Sequence, residues 1–128
     1  MGEAITIVGG GIGGLTAAIA LARRGFAPTV IERAPRIAEV GAGVQVSPNG
    51  FAVLRALGLG DALGAVSVPS EAVALIDGPS GRPIARMDLA GRDYHMVHRA
   101  ALIDLLAGAA REAGATLRLG ERVTGAED

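Results

Sequence analysis

The chain has 128 residues, half of them hydrophobic, with 12 basic and 13 acidic side chains and a formal net charge of −1. That supports one domain's worth of core at most and leaves no electrostatic footprint for nucleic acid. With no cysteine, no tryptophan, one tyrosine and two phenylalanines, the composition excludes a disulfide framework, a thiolate nucleophile, a cysteine metal site and stacking platforms for bases. A cytoplasmic location is the expectation.

Ile5 to Val8 reads as a strand running into Gly9-x-Gly11-x-x-Gly14. The following helix carries Ile12, Leu15, Ile19 and Ala22 on one stripe and stops at Gly25. Thr29 to Ile31 form a second strand, which Glu32 closes. Gly9 suits the tight turn, Gly11 lets backbone approach a pyrophosphate, and Gly14 permits close packing of helix on strand. The helix N-terminus offers N–H groups and positive dipole to phosphates, and Glu32 stands where a carboxylate accepts from adenosine ribose hydroxyls. The unit therefore predicts binding of an adenine dinucleotide.

Ala4 to Ala22 carries no charge and approaches the length of a membrane-spanning helix. Gly9, Gly10, Gly11, Gly13 and Gly14 argue against that helix, and Glu3 is a poor substitute for the basic start of a secretory signal. Met1-Gly2 with Thr6 fits a myristoylation pattern, but Thr6 falls inside the first strand.

Ala34 to Val40 reads as a loop interrupted by Pro35, and Gly41-Ala42-Gly43 leads into a strand over Val44 to Val46. Ser47 is the expected N-cap and Pro48 the first residue of a helix that buries Phe51, Leu54 and Leu57 and stops at Gly58. A short helical turn is expected over Asp61 to Leu63. Val73 to Ile76 and Pro83 to Met87 read as strands joined by the turn Asp77 to Gly81, and His95 to Val97 as another. Arg99 to Ala113 predicts a helix with Leu102, Leu105, Leu106 and Ala109 inward and Gly114 as its stop. Thr116 to Leu119 reads as a strand, and Glu121 to Ala126 as the start of one more.

Four segments together resemble the N-terminal part of the class A FAD-dependent monooxygenases, the salicylate-hydroxylase-like aromatic hydroxylases. They are the Gly9–Gly14 fingerprint, Glu32-Arg33, the run from Gly41 to Asn49 (GAGVQVSPN), and Val97-His98-Arg99 opening the long helix. The resemblance implies an α/β fold: a Rossmann-like βαβ FAD-binding domain of the glutathione-reductase type, with an incomplete parallel sheet and part of a β-rich excursion. Residues 1–128 would be the N-terminal part of that domain, about 66–97 the excursion toward a substrate domain, with the C-terminal remainder absent. The first strand would then form an open hydrophobic edge of the sheet, a liability for aggregation.

The resemblance further implies FAD as cofactor and NAD(P)H as co-substrate, used with O2 to hydroxylate a small, aromatic or similar substrate. Its cofactor-binding positions are Gly9, Gly11, Gly13, Gly14, Glu32 and Arg33. To these it adds Gly43, Val44 and Gln45 beside the flavin ring, Arg99 reaching the FAD, and Val123 near the adenine. Gln45 stands where some pyridine-ring hydroxylases of the family carry a histidine base. Glutamine exchanges no proton near neutral pH, so a hydrogen bond is its expected role.

Arg99 places a cation in a first helical turn, against the dipole, which favours a functional role for it. His95 and His98 have no metal-ligand company, and His98 reads as structural. Asp88, Asp93 and Tyr94 read as solvated loop groups. No catalytic residue or metal site emerges, and neither a nucleic acid nor a membrane is an expected partner. The alternatives are a non-catalytic remnant that binds nucleotide weakly, or another Rossmann-type oxidoreductase such as a nicotinamide dehydrogenase, in which GAGVQVSPN and HRAAL would have no task.

Overall fold

The computed structural model describes residues 2–37 and 41–127. Strand β1, Ala4–Val8, ends where Gly9 adopts a φ of +106°, a conformation closed to most side chains, and the chain turns into helix α1, Ile12–Ala22. A Cβ on Gly14 would stand 1.9 Å from the Gly9 carbonyl oxygen and 3.4 Å from Ile7 Cγ2. Only glycine lets the helix begin so close to the strand it has just left.

Strand β2, Ala27–Glu32, returns parallel to β1, from Ala4 opposite Ala27 to Val8 opposite Ile31. The chain continues through β3 (Gly43–Val46), α2 (Pro48–Ala56), α3 (Gly60–Val66), β4 (Ser67–Pro69), β5 (Ala72–Ile76), β6 (Pro83–Asp88), β7 (His95–His98), α4 (Arg99–Glu112) and β8 (Thr116–Leu119). The architecture is α/β, with one parallel and two antiparallel sheets.

The chain divides into two units. Residues 1–42 and 99–128 form the first, a parallel sheet in the order β1-β2-β8 with α1 and α4 packed against each other. The pairing places Ile5, Ile7, Pro28, Val30 and Leu117 on one sheet face, with Pro28 and Val30 buried. Leu15, Ala18 and Ile19 of α1 and Leu102, Ile103, Leu106, Ala107 and Ala110 of α4 complete this core. As expected, β1 is an edge strand, and Val8 at its end is 66 % exposed.

Residues 43–98 form the second unit, with the antiparallel sheet β3-β7-β4 and the hairpin β5-β6. Its core gathers Val46, Phe51, Leu54, Leu57, Leu59, Leu63, Leu89 and Val97.

Several expectations change. The buried face of α4 is rotated: Ile103, Ala107 and Ala110 turn inward, while Leu105 and Ala109 are only half-buried. Leu102 and Leu106 are buried as expected, with Ile103 beside them and the small Ala107 and Ala110 filling the rest of the face. Ile12 and Ala22 at the ends of the α1 stripe are likewise half-buried. Ser47 holds the N-cap backbone position of α2, but its hydroxyl bonds to Asn49 Oδ1 instead of capping the helix.

Residues 121–126 form no strand, because β2 has ended: Glu121 N–H bonds to Glu32 O at 3.1 Å, and the chain then leaves the sheet. Strand β4 was not anticipated; Pro69 disguises it, and its pairing with β7 is distant in sequence. Of the loop expected over 34–40, residues 38–40 lie outside the described residues.

Gly14→Ala should destabilise the protein by about 1–3 kcal/mol in urea unfolding, since the new methyl meets backbone rather than a movable side chain. Gly108→Ala, inside α4 with no described atom within 4 Å of the added Cβ, should stabilise by about 0.5–1 kcal/mol. Equal effects at the two sites would contradict the close approach at Gly14.

Candidate cofactor site

The head of α1 is bare. Gly11 occupies the N-cap, no side chain caps the helix, and its first turn holds no acidic residue. The first helical N–H groups have no acceptor within the helix, and the first turn carries no acidic side chain of its own against the positive end of its dipole. A Cβ on Gly11 or Gly13 would meet no described atom within 4 Å, so both present open backbone.

Glu32 is bound to the same turn. Its Oε2 accepts the Gly10 N–H at 2.7 Å and its Oε1 the Ala34 N–H at 2.8 Å. Gly10 itself is buried, and a Cβ there would press on the Glu32 side chain at 3.1 Å. The amides of Ala34 and Gly10 hold the Glu32 carboxyl below its ordinary value near 4.5, outweighing the opposing effect of burial, with Arg33 adding a favourable charge. The carboxylate thus ties the end of β2 to the glycine-rich turn after β1, a structural task that the strand-end position alone did not disclose.

Beside it lies a cleft of about 370 Å³, lined by Val8, Gly9, Ile31, Glu32, Arg33, Glu121, Arg122 and Val123. Its volume falls within the range of small-ligand sites. A smaller recess of about 130 Å³ adjoins Gly10, Gly11 and Glu32 and reaches Arg36, Ile37 and Ile103. Val8 and Ile31, not among the sequence candidates, end two parallel strands at the carboxyl edge of the sheet, where open α/β sheets seat their ligands. Glu121 is fixed by a bond from Arg118 Nε at 2.9 Å.

The first unit thus gathers Gly9, Gly11, Glu32, Arg33 and Val123 around these two hollows, with Gly13 and Gly14 in the first turn of α1. Arg99 opens α4 in the same unit, and its backbone N–H bonds to Ala42 O at 3.2 Å. Gly43, Val44 and Gln45 lie on β3 of the second unit. There Gln45 accepts an exposed hydrogen bond at 3.0 Å from Tyr94, a loop residue that is half-buried. Asp93 is also engaged, in an ion pair with Arg55 at 2.7 Å. Among the described residues no cluster of three metal-ligating side chains occurs, and no helix is long and apolar enough to cross a membrane.

Residues 3–128 match the family described as the FAD binding domain. The chain belongs to this family. Among curated relatives it is 44% identical to the 3-amino-4-hydroxybenzoate 2-monooxygenase of Streptomyces cremeus, over 92% of this chain and 33% of that protein. It is 39% identical to the 3-hydroxybenzoate 6-hydroxylase 1 of Aquipseudomonas alcaligenes, over 86% of this chain and 30% of that protein. The chain thus spans about a third of the length of these relatives. Among solved structures, 2-methyl-3-hydroxypyridine-5-carboxylic acid oxygenase superposes with a TM-score of 0.90 at 26% identity, over 98% of this chain and 33% of that one.

The FAD-binding domain has residues that fit its cofactor: an uncapped helix head with open glycine faces for the pyrophosphate, and a fixed carboxylate beside a cleft. A carboxylate offers about four lone-pair sites, of which the two amides use two, leaving two open to further donors.

Because folding lowers the Glu32 pKa, its contribution to stability is present above the ordinary value near 4.5 and is lost as pH falls through the lower folded value. The gap in urea midpoint between wild type and Glu32→Gln should therefore be widest at neutral pH and close on acidification. A gap independent of pH would contradict the ionised clasp.

Proposed function

We propose that this chain is the N-terminal FAD-binding part of a flavin-dependent monooxygenase that hydroxylates an aromatic or similar small substrate with NAD(P)H and O2. The observation that carries the reading is the Glu32 clasp at the mouth of the cleft, in a chain of the FAD binding domain family. The named activities of the relatives, 3-amino-4-hydroxybenzoate 2-monooxygenase and 3-hydroxybenzoate 6-hydroxylase, support the substrate class. In finer detail the first unit is proposed as a glutathione-reductase-type Rossmann unit, and residues 66–97 as an excursion toward a substrate domain. A cytoplasmic location belongs to the same reading.

FAD, when bound, supplies the redox chemistry; the chain binds it, orients it and keeps water from it. Gly9, Gly11, Gly13 and Gly14 with the head of α1 take the pyrophosphate, and Glu32 the ribose hydroxyls. Arg33 and Val123 flank the adenosine. Gly43, Val44 and Gln45 are proposed to serve the flavin ring, and Arg99 a polar part of the cofactor.

Glu32→Ala should weaken FAD binding by ten- to a hundredfold, about 1.5–3 kcal/mol, in titrations of the apo-protein followed by flavin fluorescence. Arg99→Ala should lower FAD occupancy and Arg99→Lys restore only part of it, because lysine lacks the planar fork of donors. Undiminished affinity in Glu32→Ala would remove that residue from the ribose. In the holoprotein with NAD(P)H, a hydroxybenzoate and isotopically labelled O2, the product should gain one labelled oxygen atom; reduced cofactor consumed without labelled product would overturn the monooxygenase reading.

A further inference from the structure

Tyr94 is the chain's single tyrosine, and its phenolic O–H donates to Gln45 Oε1 at 3.0 Å across 49 positions of sequence. Both of its backbone groups are anchored: its carbonyl accepts from Ser70 N–H and its N–H donates to Arg92 O, each at 2.7 Å. The antiparallel pairing of β3 with β7 then sets Val46, next to Gln45, opposite His95, next to Tyr94. The phenol is thus carried from an anchored backbone by a side chain with two rotatable angles, whereas Gln45 is exposed and has three; the bond between them is exposed.

We infer that Tyr94 is a positioning residue for Gln45, fixing the amide so that its Nε2 is presented as a donor to an acceptor on the flavin ring. The inference rests on the proposed place of Gln45 beside that ring. An amide can present either its oxygen or its nitrogen to a neighbour. With Oε1 held by the phenol, the two N–H hydrogens are the end left for a ligand. Without the phenol, the amide turns freely and presents its carbonyl, which repels an electron-rich ring, part of the time. Donors near the ring favour its reduced, more negative form, so this orientation sets the reduction potential of bound FAD.

The test is the FAD reduction potential of the holoprotein, measured by dye-equilibrated titration in wild type, Tyr94→Phe, Gln45→Leu and the double variant, with urea midpoints alongside. Both single variants should move the potential negative, Tyr94→Phe by less, and the double variant should match Gln45→Leu. Gln45→Glu gives a second arm, since it keeps an acceptor for Tyr94 but loses the N–H donors. It should move the potential negative at least as far as Gln45→Leu, and a wild-type potential there would overturn the inference. If Gln45→Leu shifts the potential but Tyr94→Phe does not, or the two effects simply add, Tyr94 does not position Gln45. If Gln45→Leu leaves the potential unchanged, the place of Gln45 beside the ring falls and the role of Tyr94 with it, a result distinct from failure of the pairing alone.

Discussion

Two backbone amides, those of Gly10 and Ala34, converge on the carboxylate of Glu32 and join the turn after β1 to the end of β2. The rest of the first unit is arranged around this junction. The left-handed Gly9 redirects the chain, Gly14 lets α1 start against the Gly9 carbonyl, and α4 packs against α1. Loss of the carboxylate would leave a buried Gly10 amide without its acceptor, at a desolvation cost of about 1–3 kcal/mol. The group that holds the turn is also the group proposed to hold the ribose, and a carboxylate fixed by two amides lowers the ordering cost of binding.

How much of this was legible in the sequence follows from where the determining interactions lie. The β1-α1-β2 unit was readable because glycines, helical periodicity and the terminal Glu32 are local and agree with one another. The place of β1 at the edge of a parallel sheet also emerged as expected. The inward face of α4 emerged only in part: Leu102 and Leu106 are buried as expected, but Ile103, Ala107 and Ala110 take the places expected for Leu105 and Ala109. Strand β4 and the bond from Tyr94 to Gln45 depend on antiparallel pairings between distant segments, which no local pattern announces. Val8 and Ile31 look like ordinary strand residues; their place in the lining of a cleft follows only from the parallel register.

The second unit is stabilised differently. Phe51 is stacked by His95 at 4.6 Å between ring centroids and covered by the Arg55 guanidinium at 4.9 Å, while Asp93 pairs with Arg55 and Ser67 Oγ lies 2.9 Å from His95 Nδ1. These contacts knit α2 to the strands around it and account for His95 as a structural residue. On the proposed reading, the Glu32 junction and the uncapped helix head give the first unit the task of recognising the adenosine-pyrophosphate half.

That division is open to one direct measurement, displacement of FAD from the apo-protein by ADP and by FMN, followed by flavin fluorescence. ADP should displace FAD, FMN should not do so at the same concentration, and Glu32→Gln should weaken ADP and FAD by a similar factor. Displacement by FMN but not by ADP would contradict the account.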